Sequence, residues 1–523
     1  MCTKRVHLDP IHAHTPVQGQ DPVERLTMEM STSPKAHKAV GPLSLDLDTF
    51  RLILEHLPRS ELLCMTYTSR FIRKEASREL LVRPVQLLRK KRLLSFCQFA
   101  LSGDPNKVSY LRTLTIQHID EALDEEQKNA VVNVFRHCVN LADLRLQWCD
   151  LLLIEDPRVP EAVSALPALS KFDVWLYRGE EVDVQHILRR MLSNMKHSLR
   201  RLHLPLNLRD DHVPAFLEEV ARVHGGVEDF LFDFYHFAAP PGLSLSHVRT
   251  LHLVLEGTVP RLADLYAAFP NVRDLHITPY ISLPSLAFQD GDPNQPGGAL
   301  QTESAMWPSL DSLVTTMHVI YALGLFCPVR TLNLSHYERD FHRHIAEVIS
   351  RLRPRKLTLD LFCDPDWEAP RADHKLFLHN SGKAGVRHLF LKLSYTNLGL
   401  RGAEHILRSL RPLLSGGPVE LLHVALSQFF HSNDPDEIVA GPPFGSPPPR
   451  EGAEPTLQVD VEAVARAMAE VCPRLRCVAV TVAYVGHAIW RVDRSDGRVD
   501  VLKLDLYEGR RLLEREERRC LEG

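Results

Sequence analysis

One short pattern recurs along most of the chain: an apolar residue, two others, an apolar residue, one other, an apolar residue. It reads Leu111–Leu114–Ile116, Leu141–Leu144–Leu146, Leu169–Phe172–Val174, Leu199–Leu202–Leu204, Val227–Phe230–Phe232, Val248–Leu251–Leu253 and Val272–Leu275–Ile277. It resumes as Val329–Leu332–Leu334, Pro354–Leu357–Leu359, Val386–Leu389–Leu391, Val419–Leu422–Val424, Leu475–Val478–Val480 and Val499–Leu502–Leu504, thirteen copies in all. Most successive middle positions lie 21 to 33 residues apart, and two intervals are 57 and 56. Between copies run apolar stripes at helical spacing: Val131, Val134 and Phe135; Ile187, Leu188, Met191, Leu192 and Met195; Ile345, Val348, Ile349 and Leu352; Ile406, Leu407 and Leu410. Strand, helix and strand at a near-constant period make a right-handed parallel stack. No unit of that kind buries its own apolar face, so neighbours must cover it. A chain of 523 residues is ordinarily two to four domains, but a stack grows by addition. The predicted fold class is an α/β solenoid of parallel strands plus helices. The rival is a globular α/β fold of generic strands and helices, against which the same three-position signature recurs too often, and no glycine-rich strand-to-helix turn supports a nucleotide fold.

The two long intervals read as inserted loops near 283–308 and 431–456, the second carrying Pro435, Pro442, Pro443, Pro447, Pro448, Pro449 and Pro455. A weak copy at Leu310–Leu313 follows the first. Residues 1–40 are polar, hold four prolines and have no period, which predicts a disordered tail. Residues 41–84 form a separate helical segment, 85–107 a linking helix, and 108–523 the solenoid. In the segment, Leu47, Phe50, Leu54 and Leu57 make one helix face. Asp46 or Ser44 can cap that helix, and Pro58 stops it. Ser60 can cap a second helix through Leu62, Leu63 and Met65, and a third carries Ile72, Ala76 and Leu80 up to Pro84. Three short helices bury little surface and lean on a neighbour or a partner.

Composition sets limits. The formal net charge is −4 and the hydrophobic share 44%, so neither nucleic acid nor anionic membrane is an expected general partner. There is no run of about 18 apolar residues and no secretory signal at the N-terminus. The ten cysteines form no paired framework, and with no export signal they read as reduced thiols. The expected compartment is cytoplasmic, nuclear or both.

Residues 43–84 resemble an F-box. Leu45, Asp46, Leu47, Asp48, Thr49 and Phe50 lead to Ile53, Leu54 and Leu57. Leu62 and Leu63 match the next apolar pair, and Thr68, Ser69, Arg70 and Phe71 match the polar-basic-aromatic element. Asp46 stands where the family has proline. The repeat is similar to leucine-rich repeats of the long, F-box-associated kind, and Cys149 and Asn207 occupy the family's ninth position while Tyr177, Glu256 and Tyr337 depart from it. The chain as a whole resembles fungal F-box proteins with a C-terminal leucine-rich-repeat-like domain. The resemblance implies a substrate-recognition subunit of a ubiquitin ligase. Leu45, Phe50, Ile53, Leu57, Pro58, Leu62 and Leu63 would bind a Skp-family adaptor and through it a cullin. A protein target would bind the repeats. The alternatives are an interaction scaffold without ligase association and a regulator of small GTPases.

No assembled nucleophile and base, no nucleotide loop and no metal-ligand spacing appears in the linear sequence. His342-x-His344 lies on a helix, where residues two apart do not share a face. Cys138, Cys327 and Cys472 each precede a repeat at a place that Phe269 and Leu166 fill elsewhere, so they read as small hydrophobes. The basic run Arg89, Lys90, Lys91 and Arg92 reads as a solvated helix face. No enzyme activity, cofactor or metal is therefore expected. The informative residues are those that alternate with the buried ones along each strand. They point out on a concave sheet face: Arg145, Gln147, Asp173, Trp175, His203, His252, His276, Asn333, Phe390, Lys392 and His423. Aromatic and mixed polar groups on such a surface suit protein recognition.

Overall fold

The computed structural model describes residues 46–119, 121–176, 182–208, 213–234, 237, 239–255, 259–279, 307–337, 342–363, 385–396, 414, 418–429, 460–482, 486–495 and 497–522. The expected tail at 1–40, the insert near 431–456, most of that near 283–308 and the stripe at Ile406 lie outside them. The chain divides into two compact units, Met1–His56 and Leu57–Gly523.

In the first unit the helix α1 spans Leu47–His56. Asp46 caps it: its Oδ1 accepts from the backbone N–H groups of Asp48 at 3.0 Å and Thr49 at 2.9 Å, and Thr49 Oγ1 donates to its Oδ2 at 2.6 Å. These bonds, with the Thr49 hydroxyl foremost, hold the Asp46 carboxyl below its usual range. An acid rather than a proline therefore starts α1 by satisfying its orphan donors.

The second unit opens with α2 (Arg59–Met65) and α3 (Arg70–Val82). Pro58 precedes α2 and no side chain caps it, so Ser60 lies inside the helix and not at its cap. Ser69 caps α3, accepting from the Ile72 N–H at 3.4 Å. Arg59 Nη1 donates to the Pro84 carbonyl at 3.0 Å, and Arg83 Nη1 donates to that of Leu57 at 2.8 Å. Both ends of the helical pair are thereby tied to the chain around them.

Among the described residues, one mostly parallel, open sheet of sixteen strands follows, and its spatial order is the chain order. It begins earlier than the repeat pattern does, at β1 (Val85–Leu87), which pairs with β2 across α4 (Lys90–Leu101). The first run of units is β2 (Thr113–Gln117), α5 (Glu125–His137), β3 (Asp143–Gln147), α6 (Asp150–Ile154), α7 (Arg158–Ser164), β4 (Lys171–Trp175) and α8 (Val182–Asn194). Next come β5 (Arg201–Leu208), α9 (Val213–His224), β6 (Asp229–Phe234), β7 (Thr250–Leu255), α10 (Leu262–Ala268) and β8 (Asp274–Pro279). The weak copy at Leu310–Leu313 is a full strand, β9 (Leu310–Thr315), followed by α11 (Met317–Leu323), β10 (Val329–Tyr337), α12 (His342–Leu352) and β11 (Lys356–Cys363). The array ends with β12 (His388–Thr396), β13 (Leu421–Phe429), α13 (Val461–Val471), β14 (Cys477–Val482), β15 (Gly486–Ser495), β16 (Arg498–Lys503) and α14 (Leu506–Glu522).

The repeated apolar positions make the main core. Leu114, Leu144, Phe172, Leu202, Phe230, Leu251, Leu275, Leu332, Leu357, Leu389, Leu422 and Val478 are all buried there, beneath the helices. Parallel strands leave side chains in rows, so each middle apolar residue lies beside its counterpart: Leu114, Leu144 and Phe172 in succession. Cys138 and Cys472 are buried at helix ends and Cys327 in the turn before β10, and burial pushes their thiols up to about 12, 12 and 11. The thirteenth copy is a correction. Val499–Leu502 lies in β16, which runs antiparallel to β15, and Leu502 is half exposed. The expected repeat strand is the outer arm of a closing hairpin, where alternation with Asp500 and Lys503 suits an edge. Among the described residues, no helix is long and apolar enough to cross a membrane.

Candidate functional site

The face of the sheet away from the main helices carries the alternating residues of every strand. Its central row runs in register through Thr115, Arg145, Asp173 and His203, then Leu231, His252 and His276. It continues through Val314, Asn333, Thr358, Phe390 and His423, and ends on Ala479 and Ile489. Eight of the eleven residues expected on this face fall in that single row. Gln147, Trp175 and Lys392 occupy the row beside it, each two residues further along its strand.

The N-terminal end of the face is open and mixed in character. Gln117 and Gln147 join side chain to side chain across β2 and β3. His118 and Trp148, at the ends of these strands, take positive φ of 54° and 53° and set their rings 4.4 Å apart. The same left-handed turn recurs because the backbone N–H groups of His118 and Trp148 reach across to the carbonyls of Gln147 at 3.0 Å and Trp175 at 2.6 Å. Trp148 is 40% exposed, so this rim presents an aromatic surface that the expected list omitted.

The middle of the face is a histidine–carboxylate cluster. His203 Nε2 lies 3.0 Å from Asp229 Oδ1, and His252 Nε2 lies 3.6 Å from the same oxygen. Arg201 Nε donates to the other oxygen, Oδ2, at 2.6 Å. Asp173 Oδ2 stands 3.8 Å from His203 Nδ1. The rings of His252 and His276 are 4.3 Å apart. Burial draws the pKa of His203 down, but its two carboxylate neighbours outweigh that and the net direction is up. Burial and the neighbouring His276 lower His252 to about 4, so it stays neutral. Asp173 corrects the expectation of an exposed residue. It is only 9% exposed, hemmed by the residues beside it in the row.

The C-terminal end is not open. The rows turn apolar at Leu421, Cys477, Ala479 and Ile489, and α14 lies across them with Leu512 and Cys520 to form a second core. Lys356 pairs with Glu517, Arg519 with Glu420, and Arg355 Nη1 donates to the Leu521 carbonyl at 2.7 Å. Phe390 and His423 stack at 4.2 Å on this portion of the sheet, with Lys392 Nζ 5.9 Å from the Phe390 ring. Both rings are half-buried, and His423 Nε2 also meets Thr481 Oγ1 at 3.0 Å. The recognition surface expected at Phe390, Lys392 and His423 therefore lies beside a docked helix.

The helical segment places its expected residues differently. Leu45 lies outside the described residues. On α1, Ile53 is 40% exposed and Phe50 half-buried. In the second unit, Leu57 is half-buried, Pro58 exposed and Leu63 47% exposed. Leu62 is a correction: it is fully buried on α2 and presents nothing to a partner. Tyr67 and Phe71 were absent from the expected set, yet they are 85% and 54% exposed. Of thirteen large hydrophobic residues exposed among the described residues, eight lie between Leu47 and Leu88 in the sequence, three on α1 and five at the start of the second unit.

The comparisons with known proteins add no family assignment: no protein-family model and no curated protein sequence matches this chain.

Proposed function

We propose that the chain is the substrate receptor of a Skp–cullin–F-box ubiquitin ligase, with a leucine-rich-repeat type solenoid that presents its open sheet face to a protein target. The observation that carries the reading is the concentration of exposed apolar side chains in the helical segment. Leu47, Leu52 and Ile53 stand on α1; in the second unit, Leu63 stands on α2, Phe71 on α3 and Tyr67 in the turn between them. Exposed apolar side chains grouped in this way are what a partner surface offers. The repeat type is supported by period and by Cys149, whose buried Sγ–H reaches the Ile116 carbonyl of the preceding unit at 3.4 Å. The receptor does no bond chemistry. It holds the target near a ubiquitin-loaded enzyme that the cullin arm supplies.

The test is co-purification of the full chain with a Skp-family adaptor, alongside Ile53→Asp and Leu63→Asp. Each substitution puts a charge at an exposed apolar contact and leaves the buried Leu54 and Leu62 in place. A one-to-one complex is expected, weakened at least about 30-fold by either change, the ~2 kcal/mol of an interface hot spot. If the intact chain forms no complex, the chain is a scaffold without ligase association. The capping Asp46 at the family's proline position favours that second reading.

A further inference from the structure

We propose that His203, Asp229 and His252 bind a divalent transition metal of the zinc class on the open face of the sheet. One donor atom from each residue lies within 4.8 Å of the other two, and the three residues come from the adjacent strands β5, β6 and β7. A tetrahedral ion with bonds of about 2.0–2.1 Å sets its ligand atoms about 3.3 Å apart. The two measured separations from Asp229 Oδ1, 3.0 Å and 3.6 Å, bracket that value. Two imidazoles and one carboxylate form a donor set that first-row divalent ions favour and hard ions such as magnesium do not.

The surroundings orient the donors. Arg201 occupies Oδ2 of Asp229, so Oδ1 is the oxygen turned to both histidines. Arg201 also brings a positive charge that an incoming cation must tolerate. Asp173 faces the far nitrogen of His203 at 3.8 Å, as a carboxylate behind a metal-bound imidazole does, and its buried Oδ1 has no hydrogen-bond partner. A proton shared among His203, Asp229 and Asp173 explains part of this arrangement. It leaves unexplained why His252 turns Nε2 toward an oxygen it does not hydrogen-bond. Three protein donors leave the fourth position to solvent.

The test is calorimetric titration of the full chain, freed of metal by a chelator, with zinc(II) alone, and the visible spectrum of its cobalt(II) form. One ion per chain and a tetrahedral cobalt spectrum without thiolate charge transfer are expected. His252→Gln and Asp229→Asn should each weaken binding more than about 100-fold and Asp173→Asn about 10-fold, the last an outer-sphere effect. Far-ultraviolet circular dichroism checks that the variants fold. Absence of one-to-one binding overturns the proposal, and so does binding that survives both His252→Gln and Asp229→Asn. An octahedral or thiolate cobalt spectrum of the intact chain overturns it without recourse to any variant.

Discussion

A buried histidine with no hydrogen-bond partner on either ring nitrogen, His388, sits in register between Lys356 and Leu421. Burial, reinforced by the charge of Lys356 and by His423, lowers its pKa to about 3, against an unfolded value of about 6.5. His423 behaves alike at about 4, through burial and then His487 and Lys356, with Glu517 opposing. Folded, both rings stay neutral; unfolded, both take a proton below about pH 6.5. Their contribution is therefore fully present above that pH and is lost as pH falls toward the folded values. At pH 5 His388 alone costs about 2 kcal/mol of stability. We expect the melting temperature to drop between pH 7 and pH 5. His388→Leu should flatten that slope and, by removing two orphaned nitrogens, add about 1 kcal/mol at pH 7. A slope unchanged by His388→Leu in thermal melts across this range would refute the assignment. Strand alternation led to His423 from sequence. The same parity reaches His388 and Asp229, two residues before Phe390 and Leu231, but the repeat motif drew attention only to the position inside each apolar pair. The sequence pointed to Asp173, His203, His252 and His276 one by one, but not to their meeting around Asp229. These residues come from separate strands, and no linear spacing encodes their meeting.

The element that most changes the picture of the face is α14. Its sequence is charged on most sides, and its buried residues Gly509, Leu512, Glu516 and Cys520 form a stripe one residue wide. That stripe is too narrow to announce a docked helix, and the apolar triplet before it suggested one more repeat. The clue lay in the sheet, where polar alternation gives way to Leu421, Cys477 and Ala479. Gly509 shows how closely the helix docks. A Cβ there would stand 2.9 Å from Ile489 Cδ1 and 3.0 Å from Ile489 Cβ. The methyl end can turn aside, but Cβ is fixed to the β15 backbone. Gly509→Ala gains about 1 kcal/mol of helix propensity and meets an overpacking cost of about 1–3 kcal/mol. The expected net is a loss of about 1 kcal/mol in urea unfolding, with faster amide exchange confined to 506–522. A net stabilisation would mean that α14 rides further from the sheet than the contact with Ile489 implies.

Across the Leu57–Gly523 unit, every strand pairs with its neighbours in sequence, so stability is a sum of units and the interfaces between them. That order was legible because most parallel strands buried under helices repeat the apolar triplet, β9 keeping only Leu310 and Leu313 of it. The antiparallel β15 was not, because the chain reverses direction there and no such triplet marks it. Such an array localises damage. Phe232 is fully buried and meets Phe230 at 4.9 Å, Phe237 at 6.1 Å and Phe269 at 6.2 Å. Phe232→Ala removes the centre of that cluster at a cost of about 3–5 kcal/mol. In a single cooperative core this loss would spread to all amides. In a stack it falls on β5–β8, while β13–β15, held on their open side by α14, keep their protection. Hydrogen exchange resolved by segment distinguishes the two. Uniform loss of protection from β2 to β14 would show one global core, and the open face could not then shift locally. Loss confined to β5–β8 would place the soft part of the sheet at the histidine–carboxylate cluster, where a bound ion or partner would stiffen it most.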